Sequence, residues 1–379
     1  MFYRNAGYLN YFCKKGALAI SFIKHKVEIM TKRSFYNTAM LLVVVVFFNI
    51  RSGIAQTEAD RNPLGYAVLK ADAALVKDLL SKGANPNKTH DQETPLVLAT
   101  KMESDEIFNI LVNAKGIKLD APSTYIWTGN GSRYTCTALI SAVSLEKVGM
   151  VRTLLDKGAN PDLYDKNVAQ QGDVTMSVTA LMHAIMLNRA NGVEMLKMLL
   201  EKTKNLNSVP TLVKDGYPAP VLACGYPLYN EVSKEMFKRG AKFEFGPANN
   251  TAYTAIGHAI TGKNPEMVKH LLDLGAKLND KTDKAFLHLA IALGVENLET
   301  IKILLDSGID PNIRFSSSKY PVINYGVKCK DLKVLELMIA RGADVNAKDG
   351  IGQSVLKYAK GGKKAKKNVK YLIKQGAKD

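Results

Sequence analysis

The chain has 379 residues, of which 46% are hydrophobic and 23% charged, a globular composition that excludes a disordered or fibrous chain. Its formal charge is +17, and residues 1–55 contribute eight Lys/Arg against one acid, so the charge is unevenly placed. Four cysteines, Cys13, Cys136, Cys224 and Cys329, form no Cys-x-x-Cys and no even spacing. They argue against a zinc or thiol redox site and are expected to serve as small core residues.

The first readable element is an unbroken apolar run over residues 39–48, preceded by Lys32 and Arg33 and followed by Ser52-Gly53-Ile54-Ala55. A basic region, a short apolar stretch and small residues before a cut form the layout of a secretory signal. Cleavage is expected after Ala55, leaving Gln56 as the mature start. Ten helical residues span roughly 15 Å, about half a bilayer core, so no stable membrane span is expected. A retained signal-anchor is the alternative. Met30-Thr31-Lys32-Arg33 opens a basic region of ordinary length, which predicts translation from Met30 and makes residues 1–29 an upstream extension. The expected organisation is therefore 1–29 extension, 30–55 signal and 56–379 a single domain in a periplasmic or secreted protein.

From there a phrase recurs: Leu79-Leu80-Ser81-Lys82-Gly83-Ala84-Asn85-Pro86-Asn87, then Leu154-Leu155-Asp156-Lys157-Gly158-Ala159-Asn160-Pro161-Asp162. It returns at Leu271-Leu272 with Gly275 and at Leu304-Leu305 with Gly308, and weaker copies centre on Gly116, Gly240, Gly342 and Gly376. From Gly240 onward the glycines are 35, 33, 34 and 34 residues apart, a period that signals a solenoid of stacked units. The paired leucines should end an amphipathic helix with Leu271, Leu272, Leu304 and Leu305 buried, and the Gly should supply a left-handed exit. Upstream of each phrase stand Thr94-Pro95-Leu96, Thr137-Ala138-Leu139, Thr179-Ala180-Leu181 and Thr254-Ala255-Ile256, where Thr can cap a helix.

These residues resemble the ankyrin repeat, whose signature is Thr-Pro-Leu-His-x-Ala followed by Leu-Leu-x-x-Gly-Ala. The resemblance covers about residues 62–379. It implies an all-α solenoid of about nine helix-turn-helix repeats with β-turn fingers. Departures are visible: only His288 stands at the motif's His position, Thr203 replaces the fourth Gly, the fifth copy is worn around Cys224-Gly225-Tyr226-Pro227, and Tyr325 falls near the Ala position of the eighth.

Three segments break the period, and insertions in a solenoid map to loops on one face. In the first, residues 120–136, Tyr125-Ile126-Trp127-Thr128 and Ser132-Arg133-Tyr134-Thr135 flank Gly129-Asn130-Gly131. Two β-prone runs around that turn predict an elongated hairpin finger carrying the chain's single Trp. The second, residues 163–178, holds Tyr164 and Lys166 in a polar loop. The third, residues 206–220, holds Tyr217. All three occupy the finger position of consecutive repeats, so a contiguous partner-binding surface is expected from Tyr125, Trp127, Arg133, Tyr134, Tyr164, Lys166 and Tyr217.

No hydrolase, metalloprotease, P-loop or dinucleotide motif occurs. His183, His258 and His288 are expected to hydrogen-bond between repeats. The C-terminal lysines, Lys357 to Lys378, have no interleaved Arg, and their only aromatics are Tyr358 and Tyr371, the latter on the apolar face with Leu372, so nucleic acid is not expected. They are read as a soluble cap, with attraction to anionic surfaces as the alternative. The resemblance implies a monomeric, non-catalytic scaffold for a protein partner, without cofactor or metal. A more pointed variant is an inhibitor or immunity-type protein acting on one enzyme or toxin.

Overall fold

The computed structural model describes residues 62–126, 133–168, 174–176, 178–208, 218–243, 254–278, 284–361 and 366–379. The readings that rest on residues 1–61, Trp127 and Tyr217 lie outside these. Residues 64–379 form one compact unit.

The helices come in pairs. In chain order they are α1 (Pro63–Leu69) with α2 (Ala73–Ser81), α3 (Pro95–Lys101) with α4 (Asp105–Val112), and α5 (Ala138–Ser144) with α6 (Val148–Asp156). There follow α7 (Ala180–Leu187) with α8 (Ala190–Lys202), α9 (Ala219–Ala223) with α10 (Asn230–Lys238), and α11 (Ala255–Thr261) with α12 (Pro265–Asp273). The last are α13 (Lys284–Gly294) with α14 (Leu298–Asp306), α15 (Ile323–Gly326) with α16 (Leu332–Ala340), and α17 (Val355–Lys360) with α18 (Lys366–Lys374). First helices pack on first helices and second on second, giving two layers whose shared seam is the core. The nine pairs among the described residues agree with the period of the repeated phrase.

Local chemistry builds each pair. The hydroxyls of Thr94, Thr137, Thr179 and Thr254 accept the backbone N–H three residues on, at 3.1–3.3 Å, and so start α3, α5, α7 and α11. Gly158 and Gly275 leave α6 and α12 at φ +92° and +91°, a left-handed turn in which a Cβ would be strained. At the fourth pair Thr203 leaves α8 in extended backbone, φ −69°. Arg239 of the next pair closes that end instead, donating to the carbonyls of Leu200 and Thr203. Leu271, Leu304 and Leu305 are buried as expected, whereas Leu272 is half-buried.

An asparagine clamp ties one repeat to the next. Asn312 Nδ2 donates to the Gly342 carbonyl at 2.8 Å while its Oδ1 accepts Asp344 N–H at 2.7 Å. Asn87, Asn207 and Asn346 repeat the same two bonds onto the repeats that follow them. Asp120 stands at the equivalent place and keeps the acceptor half alone, taking Asn160 N–H at 2.9 Å. A carboxylate has no donor to offer a carbonyl.

Cys136, Cys224 and Cys329 are free and buried in this core. Burial pushes the thiols of Cys136 and Cys329 up to about 12 and that of Cys224 further, so all three stay protonated. Among the described residues no His/Cys/Asp/Glu group has the arrangement of a metal site, and no helix is long and apolar enough to cross a membrane.

Candidate protein-binding surface

The elongated third finger forms as expected: β1 (Ser123–Ile126) pairs antiparallel with β2 (Arg133–Cys136), with Tyr125 opposite Tyr134 and Ile126 opposite Arg133. Register therefore sets Tyr134, not Arg133, directly across from Tyr125. The second segment differs from its reading as a polar loop. It supplies another hairpin, β3 (Lys166–Val168) and β4 (Val174–Met176), and β3 pairs with β2 so that Lys166 lies opposite Thr135. The result is one four-stranded sheet, β1-β2-β3-β4, built from the fingers of two successive repeats. On its β1 side Thr124 N–H donates to Gln92 of the preceding finger at 3.0 Å.

At the base of the sheet lies a carboxylate, Asp165, only 1% exposed. Its Oδ1 accepts Val178 N–H at 2.5 Å, and its Oδ2 accepts the Tyr134 hydroxyl at 2.6 Å and His183 Nε2–H at 2.8 Å. A buried charge is tolerable only when donors surround it in this way. The network joins the third finger, the fourth finger and α7, which fixes the sheet on the first-helix layer. His183 thus hydrogen-bonds between repeats, as its position suggested.

The other ring nitrogen, His183 Nδ1, lies 3.3 Å from the Ser144 hydroxyl. Ser, His and Asp in line suggest an activated nucleophile. Ser144, however, is the last residue of α5, where free carbonyls and the negative end of the helix dipole gather. That polarity repels a developing oxyanion beside Ser144.

The other expected site residues fall nearby. Tyr164 forms a backbone bridge with Thr179, and its hydroxyl meets Ser208 Oγ of the fifth finger. Lys204 N–H donates to Asp162 at 3.0 Å, a second link between those fingers. The structure thus brings Tyr125, Arg133, Tyr134 and Lys166 into one sheet and sets Tyr164 beside it. Tyr134 spends its hydroxyl inside the network. Sequence reading missed Asp165, which no motif marks.

It also missed an aromatic group on the eighth and ninth repeats. Tyr320 packs edge-to-face with Tyr325 and Tyr358, with ring centres 5.7 and 5.5 Å apart, and Lys328 Nζ sits 4.5 Å over the Tyr358 ring. Burial, with the Tyr358 hydroxyl beside it, raises the Tyr320 pKa, so the phenol stays neutral. The spacing of Tyr320 and Tyr325 is five residues, which signals nothing on a finger that leads into a four-residue helix.

Known proteins show where this architecture recurs. A family model described as ankyrin repeats (three copies) matches residues 64–165 and 223–315. An ankyrin repeat protein of fowlpox virus (strain NVSL) is 27% identical over 280 residues, 73% of this chain and 44% of its own length. An ankyrin repeat protein of Acanthamoeba polyphaga mimivirus is 31% identical over 111 residues, 29% of this chain and 14% of its own. An ankyrin repeat-containing protein of Treponema pallidum (strain Nichols) is 30% identical over 103 residues, 27% of this chain and 34% of its own. The chain spans less than half the length of these relatives. The crystal structure of the human ASB11 ankyrin repeat domain superposes with a TM-score of 0.49 at 19% identity, covering 64% of this chain and 98% of that one.

Proposed function

The chain belongs to the ankyrin repeat family, and on that premise we propose that it is a non-catalytic, monomeric scaffold that binds a protein partner through its fingers and first helices. The observation that carries this reading is the four-stranded finger sheet. Two hairpins are joined edge to edge and anchored by a buried Asp165, so they can present side chains at little cost in ordering entropy. Ankyrin repeats generally mediate protein–protein interaction, and aromatic and Arg side chains dominate the energetics of such contacts. Tyr125, Trp127 and Arg133 are accordingly assigned to partner contact, with Lys166 on the adjacent strand and Tyr164 beside it; Tyr217 is assigned to the same partner from its sequence position.

The test is affinity capture with residues 56–379 as bait, compared with the same bait carrying Trp127→Ala or Tyr125→Ala. Partner capture should fall at least tenfold in the variants while the urea midpoint stays put. Unchanged capture by both variants would move the binding surface elsewhere.

Export belongs to the same proposal. The apolar run at residues 39–48, with small residues at 52–55, supports a periplasmic or secreted location with cleavage after Ala55. Amino-terminal sequencing of the mature protein should begin at Gln56. A start at or before Asn5 in the mature protein would overturn both cleavage and the Met30 origin. In an exported compartment, a partner that is a single enzyme or toxin is the more pointed form of the scaffold reading.

A further inference from the structure

The charge of the solenoid is confined to one end. Residues 56–309 carry 28 Lys/Arg and 28 Asp/Glu, whereas residues 310–379 carry 16 against six. In the earlier repeats, bases at the ends of first helices and in the turns that follow them meet acids: Lys101–Glu93 at 2.8 Å, Lys147–Glu103 at 3.0 Å and Arg189–Glu146 at 2.5 Å. In the last two repeats the finger acids turn inward to their own backbone. Asp310 and Asp344 each accept the N–H two residues on, and Asp349 accepts those of Ile351 and Gln353, at 2.8–3.0 Å. Ion pairs here join Arg341 to Asp306 and Lys360 to Asp379. Lys319, Lys328 and Lys348 are exposed and take part in none among the described residues.

These lysines are gathered by the fold. Arg314 donates to the carbonyls of both Lys319 and Lys348, and Gly350 N–H donates to Ser318 O at 3.1 Å, so the eighth and ninth fingers lie side by side. Gly350 permits that approach, since a Cβ there would lie 2.6 Å from Ser318 O. Tyr320 follows Lys319 and leads into the tyrosine group, where Tyr325 is 39% exposed and Lys328 covers Tyr358.

We propose that this face, Lys319, Lys328 and Lys348 around Tyr325, docks an extended acidic protein segment, with an apolar residue of that segment seated on Tyr325. Nucleic acid fits it less well. Arg314 is turned onto backbone carbonyls and Arg341 onto Asp306, so neither presents a free fork to a phosphate. The rings meet edge to face and Lys328 caps Tyr358, which leaves no pair of open ring faces for base stacking. Lysine ammoniums beside a half-open tyrosine suit carboxylates flanking an apolar side chain. This site goes beyond the finger-sheet reading and uses different repeats, so either can fail without the other.

The test titrates the full mature chain into a fluorescein-labelled peptide of about twelve Glu and Asp residues with a central Leu, followed by anisotropy at about 0.05 M salt. Lys319→Glu/Lys348→Glu should weaken binding at least about tenfold, and Tyr325→Ala at least about threefold with an unchanged far-UV circular dichroism spectrum. Lys82→Glu/Lys157→Glu, in the charge-balanced part, should change it less than about twofold. Lys328→Glu, an exposed substitution, keeps the site testable if Tyr325→Ala fails to fold. Three results would overturn the proposal: equal loss in the Lys82/Lys157 control, no loss in the patch variants, or tighter binding of oligothymidylate or phosphatidylglycerol vesicles than of the peptide.

Discussion

Asn312→Asp is the smallest change that probes how the repeats hold together. It alters one group, NH2 to O⁻, without changing side-chain length. The acceptor half of the clamp survives, since Oδ1 can still take Asp344 N–H, now 2.7 Å away. The donor half does not: the Gly342 carbonyl, 2.8 Å from Nδ2, would face a carboxylate oxygen. A lost hydrogen bond between exposed groups costs about 0.5–1.5 kcal/mol, and oxygen–oxygen repulsion at that distance drives the side chain away, so the total should be about 1–2 kcal/mol. The reciprocal substitution, Asp120→Asn, restores a donor facing Gly158 and should gain about 0.5–1 kcal/mol. Urea unfolding followed by circular dichroism measures both. Hydrogen exchange should locate the Asn312→Asp loss in residues 343–379, because each repeat touches only its neighbours. If Asn312→Asp costs less than about 0.3 kcal/mol, or if Asp120→Asn destabilises, the clamp is decorative and the reasoning fails.

Three further outcomes follow from the packing. Gly262→Ala would set a Cβ 1.9 Å from the Gly225 carbonyl, so it should cost about 3 kcal/mol or prevent folding, read as a fall in Tm; an unchanged Tm would mean that the fifth and sixth repeats are not in that contact. Leu271→Ala should cost about 2–5 kcal/mol in urea unfolding and Leu272→Ala clearly less, since Leu271 is fully buried and Leu272 is not. Burial holds the His258 imidazole down to about 4, whereas the unfolded chain protonates near 6.5, so the unfolded state binds more protons between those values. Stability should therefore fall as pH drops from 6.5 toward 4, by on the order of 2–3 kcal/mol in all, and His258→Gln should flatten the 6.5-to-5 part of that slope. An equal slope in the variant would assign it to other groups.

The period of Gly and Leu-Leu carried the architecture because each phrase answers a local need: a cap, a buried stripe, a left-handed exit. Thr94, Thr137, Thr179 and Thr254 do what their position suggested. The third finger was readable because two β-prone runs flank Gly129-Asn130-Gly131. The fourth was not, since Lys166-Asn167-Val168 is too short and polar to announce a strand; pairing with β2 makes it one. Asp165 looks like any loop carboxylate until Tyr134, Val178 and His183 converge on it across 49 residues of chain. The role of Arg239 at Thr203 was invisible for the same reason, being a replacement cap supplied from the next repeat. The basic end was countable in the residues but needed the helix pairs to show where to divide the chain.

The joined hairpins also change how the molecule should come apart under load. An ideal solenoid is a row of equal links, and force applied at its ends strips repeats one by one from whichever terminus is weaker. Here β2 and β3 lash the third and fourth repeats together with a ladder that the other junctions lack among the described residues, and the Asp165 bonds run in parallel with it. Pulled from both ends, the chain should yield at the C-terminal repeats in a series of small steps. The block around the finger sheet should release last, as a single larger rupture.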